Sequence, residues 1–169
     1  MNRRNILSLV TATALGLVGM QGGTFAQQKS LTDQLVGTWV LVEAMDVHTD
    51  GSKVNPWGDN PKGTYMFDAS GHFAQMLIRS DIPKIANRAQ GSPEQNKAVV
   101  LGSVAMYGTY SVNESDKVLN VHFDGSTFAA FNGTDAKRTI VSITSDEVRF
   151  SNPSTSTGTR ADSVWRRAK

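Results

Sequence analysis

The chain has 169 residues, too few to build two well-buried cores, so a single globular domain is expected. Its 39% hydrophobic and 19% charged residues exclude intrinsic disorder, and the absence of cysteine excludes disulfides, thiolate metal sites and a cysteine nucleophile. The formal net charge is +2, and without Arg3 and Arg4 the remaining 15 basic residues balance 15 acidic ones. No nucleic-acid partner is therefore expected, because the mature surface lacks the excess positive charge that binds phosphates.

Residues 1–26 have the pattern of a secretory signal peptide. Arg3 and Arg4 give a positive start, residues 6–20 are largely apolar, and Thr24-Phe25-Ala26 offers a small-x-Ala cleavage site. The apolar stretch is about 15 residues long, shorter than the roughly 20 that a membrane-spanning helix needs. We therefore predict a cleaved signal, a mature domain over residues 27–169 with no transmembrane segment, and a bacterial protein that is periplasmic or secreted.

The mature sequence is composed mainly of predicted β-strands. Eight segments are rich in β-branched and aromatic residues or alternate between apolar and polar residues. These segments are residues 35–45, 63–68, 72–79, 106–112, 118–124, 138–144, 147–151 and 159–167. Residues 54–62, which contain several strand breakers, are predicted to form an irregular rim loop around Trp57.

One helix interrupts the strands. Ser92 is a suitable N-cap, Pro93 occupies the first helical position, and Gln95 completes a capping box. The helix is predicted to run to about Ser103, between the third and fourth predicted strands. Because the strand links are short and strands do not alternate regularly with helices, an all-β, eight-stranded antiparallel up-and-down barrel is predicted, with a β-sandwich as the alternative.

A family resemblance agrees with this fold. Residues 35–42, with Gly37 and Trp39, resemble the Gly-x-Trp opening strand of the lipocalins. Further matching segments follow in order at residues 60–63, 79–84, 92–100, 107–112, 133–139 and 164–167. The mature chain thus resembles the bacterial lipocalin-like domain proteins, which implies a calycin-type β-barrel with a small-molecule pocket. Residues 128–131 depart from the family, since Phe-Ala-Ala-Phe replaces a run that includes a polar amide.

Gly37 and Trp39 are expected to be structural. A large ring at the start of the first strand fills the narrow end of a small barrel, and a guanidinium can stack across it. Arg166 and Arg167 are both placed to supply that guanidinium, and Arg166 is the assigned choice.

Several side chains are candidates for binding a small molecule in the barrel. Arg79 and Arg138 fall at strand ends that commonly lie at a barrel mouth, where a guanidinium can bind a carboxylate such as a fatty or aromatic acid; surface ion pairs are the alternative. Gln75 shares a strand face with apolar neighbours and can supply a polar contact. The full candidate set is Trp57, Tyr65, Gln75, Arg79, Tyr107, Tyr110 and Arg138. For the tyrosines, core packing is the alternative.

Catalytic signals are weak. His48, His72 and His122 lack the spacing of a metal site, and no serine lies in a nucleophile elbow. His122 and Tyr110 are the remaining candidates for proton transfer, but strand alternation directs His122 outward. No metal, cofactor or assigned catalytic residue is expected.

Three functional hypotheses follow. The first is a binding protein for a small apolar or amphipathic molecule held in the barrel interior. The second is an isomerase or cyclase on the same scaffold, with Tyr110 or His122 transferring a proton. The third is a protein that binds an envelope partner through the helix at residues 92–105 and the loop around Trp57. A desolvated His or Tyr beside a polar group would favour the enzyme, and an exposed apolar patch would favour the partner role.

Overall fold

The computed structural model describes residues 29–169. The predicted signal peptide and its cleavage site before Gln27 lie outside these residues. None of the helices in the described part of the chain is long and apolar enough to span a membrane.

Nine strands and two α-helices make up the described chain. In chain order they are α1 (Leu31–Leu35), β1 (Gly37–Val47), β2 (Lys53–Val54), β3 (Lys62–Phe67), β4 (His72–Ile78), α2 (Pro93–Gly102), β5 (Ser103–Asn113), β6 (Val118–Ser126), β7 (Asp135–Ile143), β8 (Glu147–Asn152) and β9 (Arg160–Arg167). Two short 3-10 turns lie at Arg88–Gln90 and Ala129–Phe131.

The eight long strands form a closed antiparallel barrel. From β3 to β9 each strand pairs with the next, β1 pairs with β3, and β1 also pairs with β9 in a register that places Leu41 opposite Trp165. Closure pairs both edges of the sheet, which would otherwise be free to aggregate. The predicted eight-stranded barrel is confirmed, and the β-sandwich alternative is excluded.

The helix lies after a different strand from the one predicted, because the sequence analysis missed one short strand before it. We expected it between the third and fourth strands, whereas α2 lies between β4 and β5. The cause is β2, a two-residue strand paired with the end of β1, which is too short to give a period-two pattern. The capping box itself is present: Ser92 Oγ accepts from the Gln95 backbone N–H, and Gln95 Oε1 accepts from the Ser92 backbone N–H.

The start of the first strand also differs from the prediction. Residues 31–35 form α1, and β1 begins at Gly37. The Glu114 carboxylate accepts hydrogen bonds from the backbone N–H groups of Leu31 and Thr32, at 2.8 and 3.0 Å, and thereby holds α1 against the barrel. Leu35, the last residue of α1, is fully buried against the barrel core.

The two ends of the barrel are built differently. At one end lie α1 and the short turns β3–β4, β5–β6 and β7–β8, and this end is closed. At the other end lie the loop before β3, α2, the β6–β7 loop and the β8–β9 loop. This end, called the open end below, has the longer connections that usually surround a barrel mouth.

Three β-bulges shift which residues face inward. They lie between Leu41 and Glu43 on β1, at Tyr107/Gly108 between β5 and β6, and between Ile140 and Ser142 on β7. Gly108 is required at its bulge, because a Cβ there would overlap the His122 carbonyl oxygen. The interior is filled mainly by aromatic and aliphatic side chains, including the fully buried Trp39 and Tyr65.

Candidate functional site

Trp39 and Arg167 seal the closed end. The Trp39 indole is fully buried and donates from Nε1 to the Leu35 carbonyl oxygen at 2.8 Å. The Arg167 guanidinium lies 4.0 Å from the centre of the Trp39 ring and donates to the carbonyl oxygens of Val36 and Gln34. The assignment of this role to Arg166 is corrected: Arg166 is exposed, because neighbouring strand residues point to opposite faces.

Gly37 makes room for this contact. Its φ of +129° lies in the region that favours glycine, and a Cβ there would lie 2.7 Å from Arg167 Nη1. Ligand access from the closed end is thus blocked by α1, Trp39 and Arg167 together.

The open end leaves its lining partly accessible. Trp57, Leu77, Val104 and Phe131 pack against the buried core but are only half-buried themselves. Phe131 stacks on Phe123 with ring centres 5.2 Å apart, and this pair gives the open end an aromatic surface. The approach from the open end is therefore apolar and aromatic.

A polar cluster lies inside this apolar lining. Arg138 extends from β7 across the barrel, and only 8% of its surface is exposed. Its Nη1 donates to Tyr65 Oη at 2.7 Å and to Gln75 Oε1 at 2.8 Å. Tyr65 and Gln75 are directly opposite each other on β3 and β4. Three of the predicted ligand-binding residues therefore meet at one point in the interior.

The charge of Arg138 has only neutral neighbours. Within residues 29–169 it forms no ion pair, and both of its oxygen partners belong to neutral groups. Its Nε is buried without a hydrogen-bond partner in the described chain, and its Nη2 faces the thioether sulfur of Met106 at 3.9 Å. Burying a cation without an opposite charge costs several kcal/mol. An anion in the interior would remove much of that cost.

Tyr65 is held in its neutral form. Burial raises the pKa of its hydroxyl above the usual value, and the positive charge of Arg138 opposes this rise only in part. The hydroxyl accepts a hydrogen bond from Arg138 and retains its own proton, so it can also donate to a bound group.

The other predicted ligand-binding residues lie elsewhere. Arg79 is at the open rim, where Nη2 and Nε bond to the Asp81 carboxylate at 2.6 and 2.8 Å. Tyr107 points outward with 58% of its surface exposed, and Tyr110 lies toward the closed end, where its hydroxyl donates to the Asp68 carbonyl oxygen. Trp57 lies at the rim of the open end. The structure therefore brings Tyr65, Gln75 and Arg138 together and leaves these four apart from them.

His122 lies on the outer face of the barrel. Its Nδ1 is 2.7 Å from Asp135 Oδ1, and the side chain is about half exposed. A shallow outer groove of about 600 Å³ runs along β5, β6 and β7 beside it, and another of about 380 Å³ lies on β1, β8 and β9. Both grooves are separated from the Arg138 cluster by the barrel wall. In residues 29–169 no group of three or more acidic or histidine side chains is arranged to hold a metal ion.

Met106 is a member of the cluster that the sequence reasoning missed. It lies opposite Gln75 on β5, and its sulfur is next to Arg138. The signal was present, because Met106 has the same parity along its strand as the inward Gly108 and Tyr110.

Comparison with known proteins identifies the family. The family profile described as "Lipocalin-like domain" matches residues 36–168. The structure is similar to a lipocalin-like protein from Bacteroides uniformis (TM-score 0.46, 13% identity, 80% of this chain and 99% of that one). It is also similar to a de novo designed fluorescence-activating β-barrel (0.44, 15%, 83% and 99%) and to a redesigned β-barrel bound to DFHBI (0.42, 16%, 82% and 100%). None of the curated proteins compared with the chain matches it. The profile match covers most of the chain, and this protein therefore belongs to the lipocalin-like domain family.

Proposed function

We propose that this protein binds a small, mostly apolar molecule in the open half of the barrel. The observation that carries the proposal is the buried Arg138–Tyr65–Gln75 cluster at the base of a partly accessible apolar lining. A mainly apolar surface with a few converging polar groups is typical of small-molecule sites.

The apolar lining would supply most of the affinity. Burial of apolar surface contributes about 25 cal/mol per Å², and Leu77, Val104 and Phe131 are only partly covered by protein. The polar cluster would orient one end of the molecule. Its buried tyrosine meets one criterion for the enzyme, but the two candidates for proton transfer, His122 and Tyr110, lie outside the cluster, so we favour binding. The family membership is consistent with this role, since the barrel encloses its interior on all sides except the open end.

A pair of tryptophan substitutions tests where the molecule binds. Val104 faces inward opposite Leu77, whereas Val141 points outward with 58% of its surface exposed. Binding of the neutral fluorescent probe N-phenylnaphthylamine should weaken at least roughly tenfold in Val104→Trp, because the larger ring occupies the lining, and stay unchanged in Val141→Trp. Thermal melts check that both variants are folded. Equal probe binding by a folded Val104→Trp variant and the wild type would contradict the proposed location, and no binding by the wild type would contradict the proposed function.

Native mass spectrometry of the protein purified from its own source complements this test. A retained small molecule would identify the ligand directly, and its loss in the folded Val104→Trp variant would link it to the barrel.

We also propose that the protein is exported. The support is the pattern of residues 1–26, with a positive start, an apolar stretch and a small-x-Ala site. Expression of the full chain in a bacterium, followed by fractionation and N-terminal sequencing, should find a periplasmic or secreted product that begins at Gln27. A full-length cytoplasmic product would overturn this proposal.

A further inference from the structure

We propose that the bound molecule is a carboxylic acid, and that its carboxylate binds the Nε/Nη2 edge of the Arg138 guanidinium. This inference rests on the proposed function and names the chemical class of its ligand. It also selects Arg138 over Arg79, whose guanidinium is already paired with Asp81.

In the part of the chain that the structure describes, one edge of the Arg138 guanidinium has no oxygen partner. Nη1 is used twice, by Tyr65 and Gln75, which fixes the plane and the rotation of the group. Nε has no partner among the described residues, and Nη2 contacts only the Met106 sulfur, a weak acceptor. Nε–H and one Nη2–H point in parallel, which is the arrangement that a carboxylate binds with its two oxygens.

Electrostatics favours an anion over a neutral group at this edge. The Arg138 guanidinium is a cation, and it is more than nine-tenths buried, with only neutral partners among the described residues. Its charge is therefore poorly solvated, and an opposite charge at hydrogen-bond distance gains more here than at the surface. A neutral alcohol would leave the charge uncompensated.

The cluster matches one negative charge and a planar group. It contains a single guanidinium, and Tyr65 adds a neutral hydroxyl whose proton is available to a second acceptor. A phosphate ester with two charges would need further cations, whereas a carboxylate needs one guanidinium edge. Met106, with an unbranched and flexible side chain, can move aside to admit the carboxylate oxygen next to Nη2.

Matched acids and alcohols test the inference. Octanoate is compared with octanol, and cinnamate with cinnamyl alcohol, so that each pair has the same apolar part. We expect the wild type to bind each acid roughly 10- to 100-fold more tightly than its alcohol, as charge-assisted hydrogen bonds to a buried group allow. Isothermal titration calorimetry measures the affinities, with competition against N-phenylnaphthylamine for weak binders.

Variants assign the preference to Arg138. In Arg138→Met the acid and its alcohol should bind within roughly threefold of each other, since the apolar part of the site remains. Arg138→Lys keeps the charge but lacks the parallel donor pair, and its preference for acids should fall at least several-fold. Arg149→Met is the matched control, because it removes one arginine from the outer face and should keep the full preference.

NMR spectroscopy can observe the Nε/Nη2 edge of Arg138 directly. In protein with ¹⁵N-labelled arginine, the Nε–H signal that is missing from Arg138→Lys belongs to Arg138. Acids should shift this signal and alcohols should not. Equal binding of acids and alcohols by the wild type would overturn the inference. A preference for acids that survives in both Arg138→Met and Arg138→Lys would overturn it too. In either case the proposed function would still stand. If neither these ligands nor the neutral probe binds, the proposed function fails as well.

Discussion

Replacing Arg138 with methionine should leave the unliganded protein as stable as the wild type or more stable. The wild type buries a cation whose oxygen partners within residues 29–169 are Tyr65 and Gln75 alone. The desolvation of that charge costs several kcal/mol, and two hydrogen bonds from a charged donor return about 1.5–3 kcal/mol each. In the variant, Tyr65 and Gln75 remain opposite each other and can bond directly.

Because these contributions nearly balance, we expect the free energy of unfolding of Arg138→Met to stay unchanged or to rise by up to about 2 kcal/mol, as when buried charges are replaced by apolar residues of similar volume. For a domain of this size each kcal/mol raises Tm by roughly 3 °C. Urea unfolding followed by tryptophan fluorescence measures the change, with Arg149→Met as a surface control that should stay within about 0.5 kcal/mol. A loss of more than about 0.5 kcal/mol in Arg138→Met, the range expected of the control, would refute this reasoning, because Arg138 would then stabilise the core.

Three further predictions concern the closed end. Arg167→Met should lower the free energy of unfolding by about 2–4 kcal/mol, because it removes the contact with Trp39 and the hydrogen bonds to backbone carbonyls. The control Arg166→Met, at an exposed position, should change this free energy little. Chemical denaturation measures both variants. Gly37→Ala should cost about 1–3 kcal/mol in the same assay, because its positive φ disfavours a side chain. Burial tends to raise the pKa of Glu114, but its hydrogen bonds from α1 outweigh burial and lower the pKa below the usual 4.5. The carboxylate's contribution to the free energy of unfolding is therefore complete above pH 4.5, and it is lost as the pH falls through the lower pKa of the folded state. Glu114→Gln should be about 1 kcal/mol less stable than the wild type at neutral pH and equally stable in acid. Thermal melts over a range of pH test this, and an equal difference at all pH values would contradict it.

Local sequence patterns were sufficient for much of the architecture. The eight long strands could be predicted from alternating apolar and polar residues and from the turn residues between them. Successive side chains of a strand point to opposite faces, so the alternation shows which face is buried. The start of α2 follows from Ser92, Pro93 and Gln95, since a capping box is formed by residues within one turn of helix. The alternation also directed His122 outward and placed Gln75 on the same strand face as Phe73 and Leu77.

Short elements escaped prediction because their stability comes from distant contacts. α1 has five residues, and it is held by Glu114, which lies 83 positions from Leu31. β2 has two residues and exists through its pairing with β1. Neither segment is long enough to show a period of its own.

For the candidate site, the sequence determined which residue types face inward, and only the closed barrel decided which of them meet. Arg79 and Arg138 looked equivalent as strand-end arginines, yet one pairs with Asp81 at the rim and the other reaches Tyr65 and Gln75 inside. That distinction depends on closure of β1 onto β9 and on the three bulges, which set how residues more than 60 positions apart face each other. Alternation along one strand does not show which side chains of distant strands face each other across the barrel interior. The neutral surroundings of Arg138 therefore became visible only in the tertiary structure.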